Sequence, residues 1–199
     1  MMRIMYVSTE ILEPFEMRVT KEQMAANRVR ILDAAGRLFR EKGFEAVSVA
    51  EVMKAAGLTH GGFYGHFESK DDLIAKTIAH IFSMGADGPE DLTAYFDAYL
   101  SPVHRDSIAK GCPTAALIAD VRRQTPEARV AMTDGFKFQI DRITSAIAKT
   151  DAHDARRSAI GAWASLVGAV MIARTIEDPD LSNEILHETR MWVGDNLAS

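Results

Sequence analysis

Residues 48–70 constrain the fold of this chain more than any other stretch. Ser48 is a favourable N-cap, and Val49, Val52, Met53 and Ala56 then share one face at helical spacing. Gly57 supplies the left-handed residue that ends this short helix. Leu58 offers an apolar plug for the turn, and Thr59 is placed to cap a second helix opening at His60. Two helices meeting at a three-residue turn form the corner of a helix-turn-helix DNA reader.

The second helix is unusual. Gly61, Gly62 and Gly65 each cost roughly 1 kcal/mol of helix stability relative to Ala. What they provide is low relief, a face along which backbone can approach another surface closely. Phe63 and Phe67, four residues apart, are expected to turn inward and fasten the helix to its domain. Tyr64, His66 and Lys70 are left with polar tips outward, suited to phosphate contact. The run from Thr59 to Lys70, with its aromatic-Tyr-x-His-Phe-x-Ser-Lys core, resembles the recognition-helix signature of TetR-family transcriptional regulators. Residue chemistry and this resemblance together imply that Ser48, Tyr64, His66 and Lys70 meet phosphates. By the same reasoning Thr59, His60, Gly61 and Gly62 face the base edges of double-stranded DNA.

The rest of the chain reads as all-α. It is 47% hydrophobic and 26% charged, and Leu, Ile, Ala and Met outweigh alternating Val/Thr patterns. Thr20 with Gln23 resembles a capping box, and Ile31, Leu32, Ala35, Leu38 and Phe39 form one stripe of a first helix that ends at Gly43. Arg28, Arg30, Arg37, Arg40 and Lys42 fall mostly off that stripe, on a solvated or DNA-facing side. Phe44 and Val47 plug the reader's core. Ser69 caps a longer helix with apolar positions Leu73, Ile74, Thr77, Ile78, Ile81 and Phe82, broken at 85–89 by Gly85, Gly88 and Pro89. Five further helices are expected over 89–103, 113–123, 126–149, 153–176 and from a Ser182 cap to 197. Residues 1–17 show no period and 1–19 read as a disordered extension; with Met17 a plausible start, 1–16 are expected to be dispensable. The expected division is a helix-turn-helix domain over 20–69 and a helical effector-binding and dimerisation domain over 70–199.

Charge and cysteine content narrow the function. The net charge of -5 is unevenly spread: residues 21–82 hold nine Lys/Arg against eight Asp/Glu, residues 83–199 twelve against seventeen. So slight an excess means that DNA affinity must rest on helix N-termini, hydroxyls and dimerisation rather than a basic patch. The single cysteine, Cys112, excludes an intrachain disulfide and reads as a small buried apolar residue. With no signal-peptide pattern, and a longest apolar run, 159–173, short of the ~20 residues that cross a bilayer, the chain reads as cytoplasmic with no membrane partner. The histidines at 60, 66, 80, 104, 153 and 187 lie in no cluster with metal-ligand spacing. The glycines at 57–65 lack the Gly-Lys-Ser/Thr of a phosphate loop. No catalytic cluster, metal site or cofactor is expected. The contrasting reading is a small helical enzyme or binding protein that shares the fold without the DNA role.

The resemblance extends more weakly to Gly111-Cys112-Pro113 and to 177–186. It implies a repressor released from a palindromic operator by a small-molecule effector that tilts the helix starting at Lys70. Tyr95, Tyr99, Met132, Phe136, Gln139 and Trp163 lie on helices that surround the effector cavity in that family. A homodimer is read from the pattern itself, because 159–173 is apolar on nearly every face, as for a helix covered from both sides. Trp163, Leu166, Val167 and Val170 fill the monomer's core. Gly161, Ser165, Gly168 and Ala169 leave a low strip for a partner, and Ile185, Leu186, Thr189, Trp192 and Val193 supply a second stripe.

Overall fold

Thr20 starts the first helix, α1 (Lys21–Lys42), by accepting the Gln23 N–H on its hydroxyl at 3.1 Å. The reciprocal half of the capping box is missing, because the Gln23 amide donates to Asn27 Oδ1 instead. The computed structural model describes residues 20–84, 91–147 and 152–198; the extension at 1–19 and the break at 85–89 lie outside them. Gly43, at φ 79°, closes α1. Ser48 caps α2 (Val49–Ala55) through the Glu51 N–H, and Gly57, at φ 69°, turns the chain. A side chain at Gly57 would be strained by its backbone and would put Cβ 2.8 Å from Arg30 Nη2.

The second helix of the corner is not an α-helix. Residues His60–Gly65 wind as a 3₁₀ helix, and Thr59 makes no side-chain cap. Three glycines in six residues leave little to sustain an α-helical turn, and 3₁₀ runs of this length persist only when other contacts hold them. Phe63 and Phe67 provide those contacts: both are buried, and their rings stack with centroids 5.7 Å apart. Ser69 then caps α3 (Lys70–Ser83) through the Asp72 N–H, with Asp71 and Asp72 placed at the positive end of the helix dipole.

The second half contains α4 (Leu92–Tyr99), α5 (Pro102–Asp106), a 3₁₀ turn (Ile108–Lys110), α6 (Pro113–Val121), α7 (Pro126–Ala146), α8 (Ala152–Ala173) and α9 (Pro179–Ala198). The single helix expected over 89–103 is two. Ser101 takes an extended conformation, as a residue before proline does, and caps α5 through the His104 N–H with Pro102 in its first turn. Ser182 does not cap α9. Asp178 accepts the Asp180 and Leu181 N–H groups, and Ser182 lies buried one turn inside, donating to the Ala173 carbonyl and accepting from Arg105. The helices expected over 113–123 and 153–176 stop at Val121 and Ala173, and α7 ends at Ala146, before the undescribed residues 148–151.

Two apolar cores result. Ile31, Phe39, Phe44, Val52, Phe63, Phe67, Leu73, Ile74 and Ile78 build the first, which continues into Leu117, Val121 and Met132 of α6 and α7. The second gathers Phe96, Leu100, Ile143, Leu166, Val170, Leu186 and Val193 from α4, α7, α8 and α9. The helix joining the halves, α3, packs on α1 and on α7, and its Phe82 ring occupies a notch left by Gly135, where a Cβ would lie 2.3 Å from two ring carbons. Among the described residues no helix is long and apolar enough to cross a membrane.

Candidate functional site

The outer face of the 3₁₀ helix presents Thr59, His60, Gly61, Gly62, Tyr64 and Gly65, all exposed. A Cβ at Gly61 would meet nothing within 4 Å, and one at Gly62 only Met53 Cε at 3.8 Å and Thr59 Oγ1 at 3.9 Å. The glycines therefore serve no internal packing; they leave the backbone bare toward solvent. Tyr64, 73% exposed, rests edge-on against Phe63 and directs its hydroxyl away from the core. Ser48 is exposed at the start of α2, with its hydroxyl hydrogen still available for donation.

His66 and Lys70 are less free than the sequence implies. Both are half-buried, and Lys70 Nζ reaches back to the Glu45 carbonyl at 3.5 Å. Burial, and then the neighbouring Arg28, lower the pKa of His66 and so favour its neutral form. Arg28 itself is not on an idle solvated face. Its guanidinium donates to the His66 carbonyl and lies over the Phe67 ring at 4.4 Å, clamping the end of the 3₁₀ helix to α1.

A cavity of about 390 Å³ opens among α1, α3, α4, α7, α8 and the 3₁₀ turn at 108–110. Of the six sequence candidates, Tyr95, Tyr99, Gln139 and Trp163 line it. Met132 does not: it is buried in the core beneath the reader, one helical face away. Phe136 stands behind the wall, its ring 5.1 Å from that of Trp163. The lining also includes Arg40, His104, Lys110, Cys112 and Arg142, none of which periodicity or motif had marked as cavity residues. Cys112 is half-buried rather than buried.

One corner of this cavity is tightly fixed. His104 Nδ1 lies 2.7 Å from the Tyr99 carbonyl, so it carries the proton and donates; Nε2 is left to accept the Cys112 N–H at 2.9 Å. Both ring nitrogens are committed to a neutral imidazole, and burial lowers its pKa accordingly. Gly111 is required here, because a Cβ would meet Arg174 Nη2, His104 Nε2 and the Ser107 carbonyl at 2.9–3.0 Å. Burial pushes the Tyr95 hydroxyl up to about 12 and raises that of Tyr99 further, so both stay protonated donors.

On the far side, Ser165, Gly168, Ala169 and Ile172 of α8 and Ile185, Glu188, Thr189 and Trp192 of α9 line a shallow groove. Trp192 is 54% exposed and Ile172 51%. Leu186 and Val193 belong to the monomer's own core instead, because the stripe chosen from sequence straddles both faces of α9. Ala169, largely buried, forms part of the groove's floor, while Gly161 is exposed with open space around it. Among the described residues no three His, Cys, Asp or Glu side chains gather as a metal site.

A 3₁₀ recognition element presented by a small helical domain, joined through α3 to a larger helical domain with a cavity, defines a DNA-binding transcriptional regulator of the helix-turn-helix class. Residues 31–77 match the model of bacterial regulatory proteins of the tetR family, and 88–188 match the tetracyclin repressor-like C-terminal domain. The chain belongs to the TetR family of bacterial transcriptional regulators; this is a family of DNA-binding regulators, not of enzymes. Similar curated proteins include the HTH-type transcriptional regulator AcrR of Shigella flexneri, 44% identical over 59 residues. Another is TtgR of Pseudomonas putida, 37% identical over 57 residues. These matches span 30% and 29% of this chain and 27% of either relative, under a third of each protein. Over the whole fold the chain resembles Escherichia coli NemR in its reduced form, with a TM-score of 0.72 at 21% identity, covering 85% of this chain and 96% of that one. It also resembles a TetR regulator from Chloroflexus aurantiacus, with a TM-score of 0.67 at 23% identity, covering 89% and 97%.

Proposed function

We propose that the chain is a ligand-responsive repressor that binds a palindromic operator as a homodimer and leaves it when a small-molecule effector enters the second domain. The observation that carries this is the division of the 3₁₀ helix into two faces. Phe63 and Phe67 anchor it, while Thr59, His60, Gly61, Gly62 and Tyr64 stand exposed with open space before the glycines. No internal structural need accounts for two bare glycines in an exposed turn, whereas backbone approach to a DNA groove does. Thr59, His60, Gly61 and Gly62 are assigned to base edges; Ser48, Tyr64, His66 and Lys70 are assigned to phosphates.

The groove between α8 and α9 supports the dimer. Its exposed Ile172 and Trp192 flank the low relief of Gly168 and Ser165, a surface suited to two helices of a second copy related by a two-fold axis. Such a dimer would set two readers about 35 Å apart, one turn of DNA. We divide the chain into a reader at 20–69 and an effector-binding and dimerisation domain at 70–199, with α3 lending Leu73, Ile74 and Ile78 to the reader's core. That sharing makes α3 the element whose tilt an effector would convert into a change in reader spacing. An electrophoretic mobility shift with the DNA upstream of the protein's own gene tests the reading. Retention of that fragment in the presence of excess unrelated duplex is expected; equal competition by both would refute it.

A further inference from the structure

The lining of the cavity at α3, α4, α7 and α8 carries a chemical signature of its own. Three permanent cations contribute to it: Arg40, Lys110 and Arg142. The neutral His104 adds none, since both its ring nitrogens are already committed. Neither Arg40 nor Lys110 is ion-paired with a carboxylate among the described residues, and no Asp or Glu lines the cavity among them. Lys110 is exposed and hydrated, whereas Arg40 is half-buried, and a cation drawn partly out of water calls for a compensating partner. Arg40 is partly satisfied by one bond from Nε to the Ala109 carbonyl at 2.8 Å, which leaves its terminal fork for another acceptor.

The opposite wall is aromatic. Tyr95, Tyr99, Trp163 and Phe82 face the same space, with the Tyr95 and Tyr99 ring centroids 5.9 Å apart. Within this wall two buried polar atoms, Trp163 Nε1 and Gln139 Oε1, lack a hydrogen-bond partner, and the Tyr99 hydroxyl has only the weakly accepting Cys112 thiol beside it. Tyr99 and Trp163 are 7% and 8% exposed, so open solvent does not satisfy them either. Orphaned polar groups and the half-buried Arg40 guanidinium around one largely apolar cavity define a site for an occupant with complementary atoms.

We propose that the effector is a planar aromatic carboxylate, its ring against the tyrosines and Trp163 and its carboxylate on the Arg40 guanidinium. A carboxylate, not a neutral polar group, matches the planar fork of Arg40 and is stabilised by Lys110 and Arg142 beside it. Tyr99 OH and Trp163 Nε1 are placed to donate to ring substituents of such a molecule. This rests on the ligand-responsive reading above and adds a mechanism to it, because Arg40 is a residue of the reader's own first helix. The same helix, one rigid rod, holds the recognition element through Arg28 and the His66 carbonyl. Recruiting Arg40 to a carboxylate would loosen its tie to Ala109, so occupancy is felt by α1 directly as well as through α3.

Isothermal titration calorimetry of the full-length protein against matched pairs tests the proposal: benzoate and benzamide, phenylacetate and phenylacetamide, indole-3-acetate and indole-3-acetamide, 2-naphthoate and 2-naphthamide. At least one carboxylate should bind about tenfold or more tightly than its amide, the scale expected for a charge-assisted hydrogen bond. Arg40→Gln, and independently Arg142→Gln, should weaken that carboxylate by about tenfold while leaving the amide nearly unchanged. Amides that bind as well as their acids, or a panel in which no carboxylate binds, would overturn it. A neutral aromatic that binds and releases DNA would overturn it too, while leaving the ligand-responsive reading intact. A carboxylate that binds in this Arg40-dependent way without altering operator affinity would uphold the ligand class of the cavity and sink the ligand-responsive reading instead.

Discussion

Gly135 is the position at which the junction between the two halves is most exposed to a one-atom change. Replacing it with Ala would put a Cβ 2.3 Å from Cδ2 and Cε2 of Phe82 and 2.6 Å from Cγ, where unstrained carbon contacts sit at about 3.5–4.0 Å. The ring, or α3 with it, must move by more than ~1 Å to relieve the overlap. Phe82 is buried, so the move disturbs packed neighbours at a cost of about 1–3 kcal/mol. Against this stands a gain of about 1 kcal/mol in helix propensity inside α7. The net expectation is a destabilisation of up to about 2 kcal/mol. Urea unfolding followed by circular dichroism at fixed protein concentration reads it as a lower midpoint at unchanged slope. The decisive control is the Phe82→Ala background, where the ring is gone and Gly135→Ala should stabilise by about 1 kcal/mol. A Gly135→Ala variant that raises the midpoint equally in both backgrounds would show that the notch is not filled by Phe82, and the account of α3 docking would fail.

Other expectations concern the reader, the groove and pH. Tyr64→Phe should weaken operator and unrelated DNA alike in fluorescence anisotropy, whereas His60→Ala should mainly alter sequence preference, by ~1–3 kcal/mol per lost base contact; equal losses on all sequences for both would contradict the assignment. Gly62→Leu, whose Cβ meets nothing closer than 3.8 Å, should fold with an unchanged melting temperature yet lose operator binding. Normal binding by that variant would mean the glycine face looks elsewhere. Gly168→Arg puts a long side chain across the low floor of the α8–α9 groove, where a partner helix would have to lie, and should sediment as a monomer with reduced operator affinity; an intact dimer would move the interface elsewhere. His104 has a folded-state pKa below its unfolded value, so the unfolded chain takes up the proton first as pH falls. Stability should therefore decline below about pH 6.5, and His104→Gln should flatten that decline, leaving the part due to His66, which is shifted in the same direction. An unchanged pH profile in the variant would refute the neutral assignment.

Much of this was legible before any coordinates. Ile31, Leu32, Ala35 and Phe39 mark α1 because a period of 3.6 has one structural solution, and Ser48, Gly57 and Ser69 punctuate the corner through local chemistry alone. Local chemistry also misled. Thr59 looks like a cap but makes no such bond, since the glycines after it favour a 3₁₀ turn over the α-helix a cap would serve. Ser182 looks like a cap too, but Asp178 and Pro179 begin α9 one turn earlier. The cavity was the least visible. Arg40 sits on the polar side of α1, and only the packing of the 108–110 turn against that helix brings it into the same space as Tyr99 and Trp163, more than fifty residues further on. The dimer stripe erred for a related reason. Leu186 and Val193 share the apolar character of Ile185 and Trp192, and composition does not say which face of α9 the monomer has already used.

Repression by this mechanism requires a symmetric pair of readers on one face of the duplex. Hydroxyl-radical footprinting of the protein on the DNA upstream of its own gene tests it directly. Two protected half-sites of inverted sequence are expected, their centres about one helical turn apart, with protection of both lost together in the Gly168→Arg variant. A single unsymmetrical footprint, or protection that follows no sequence at all, would contradict it.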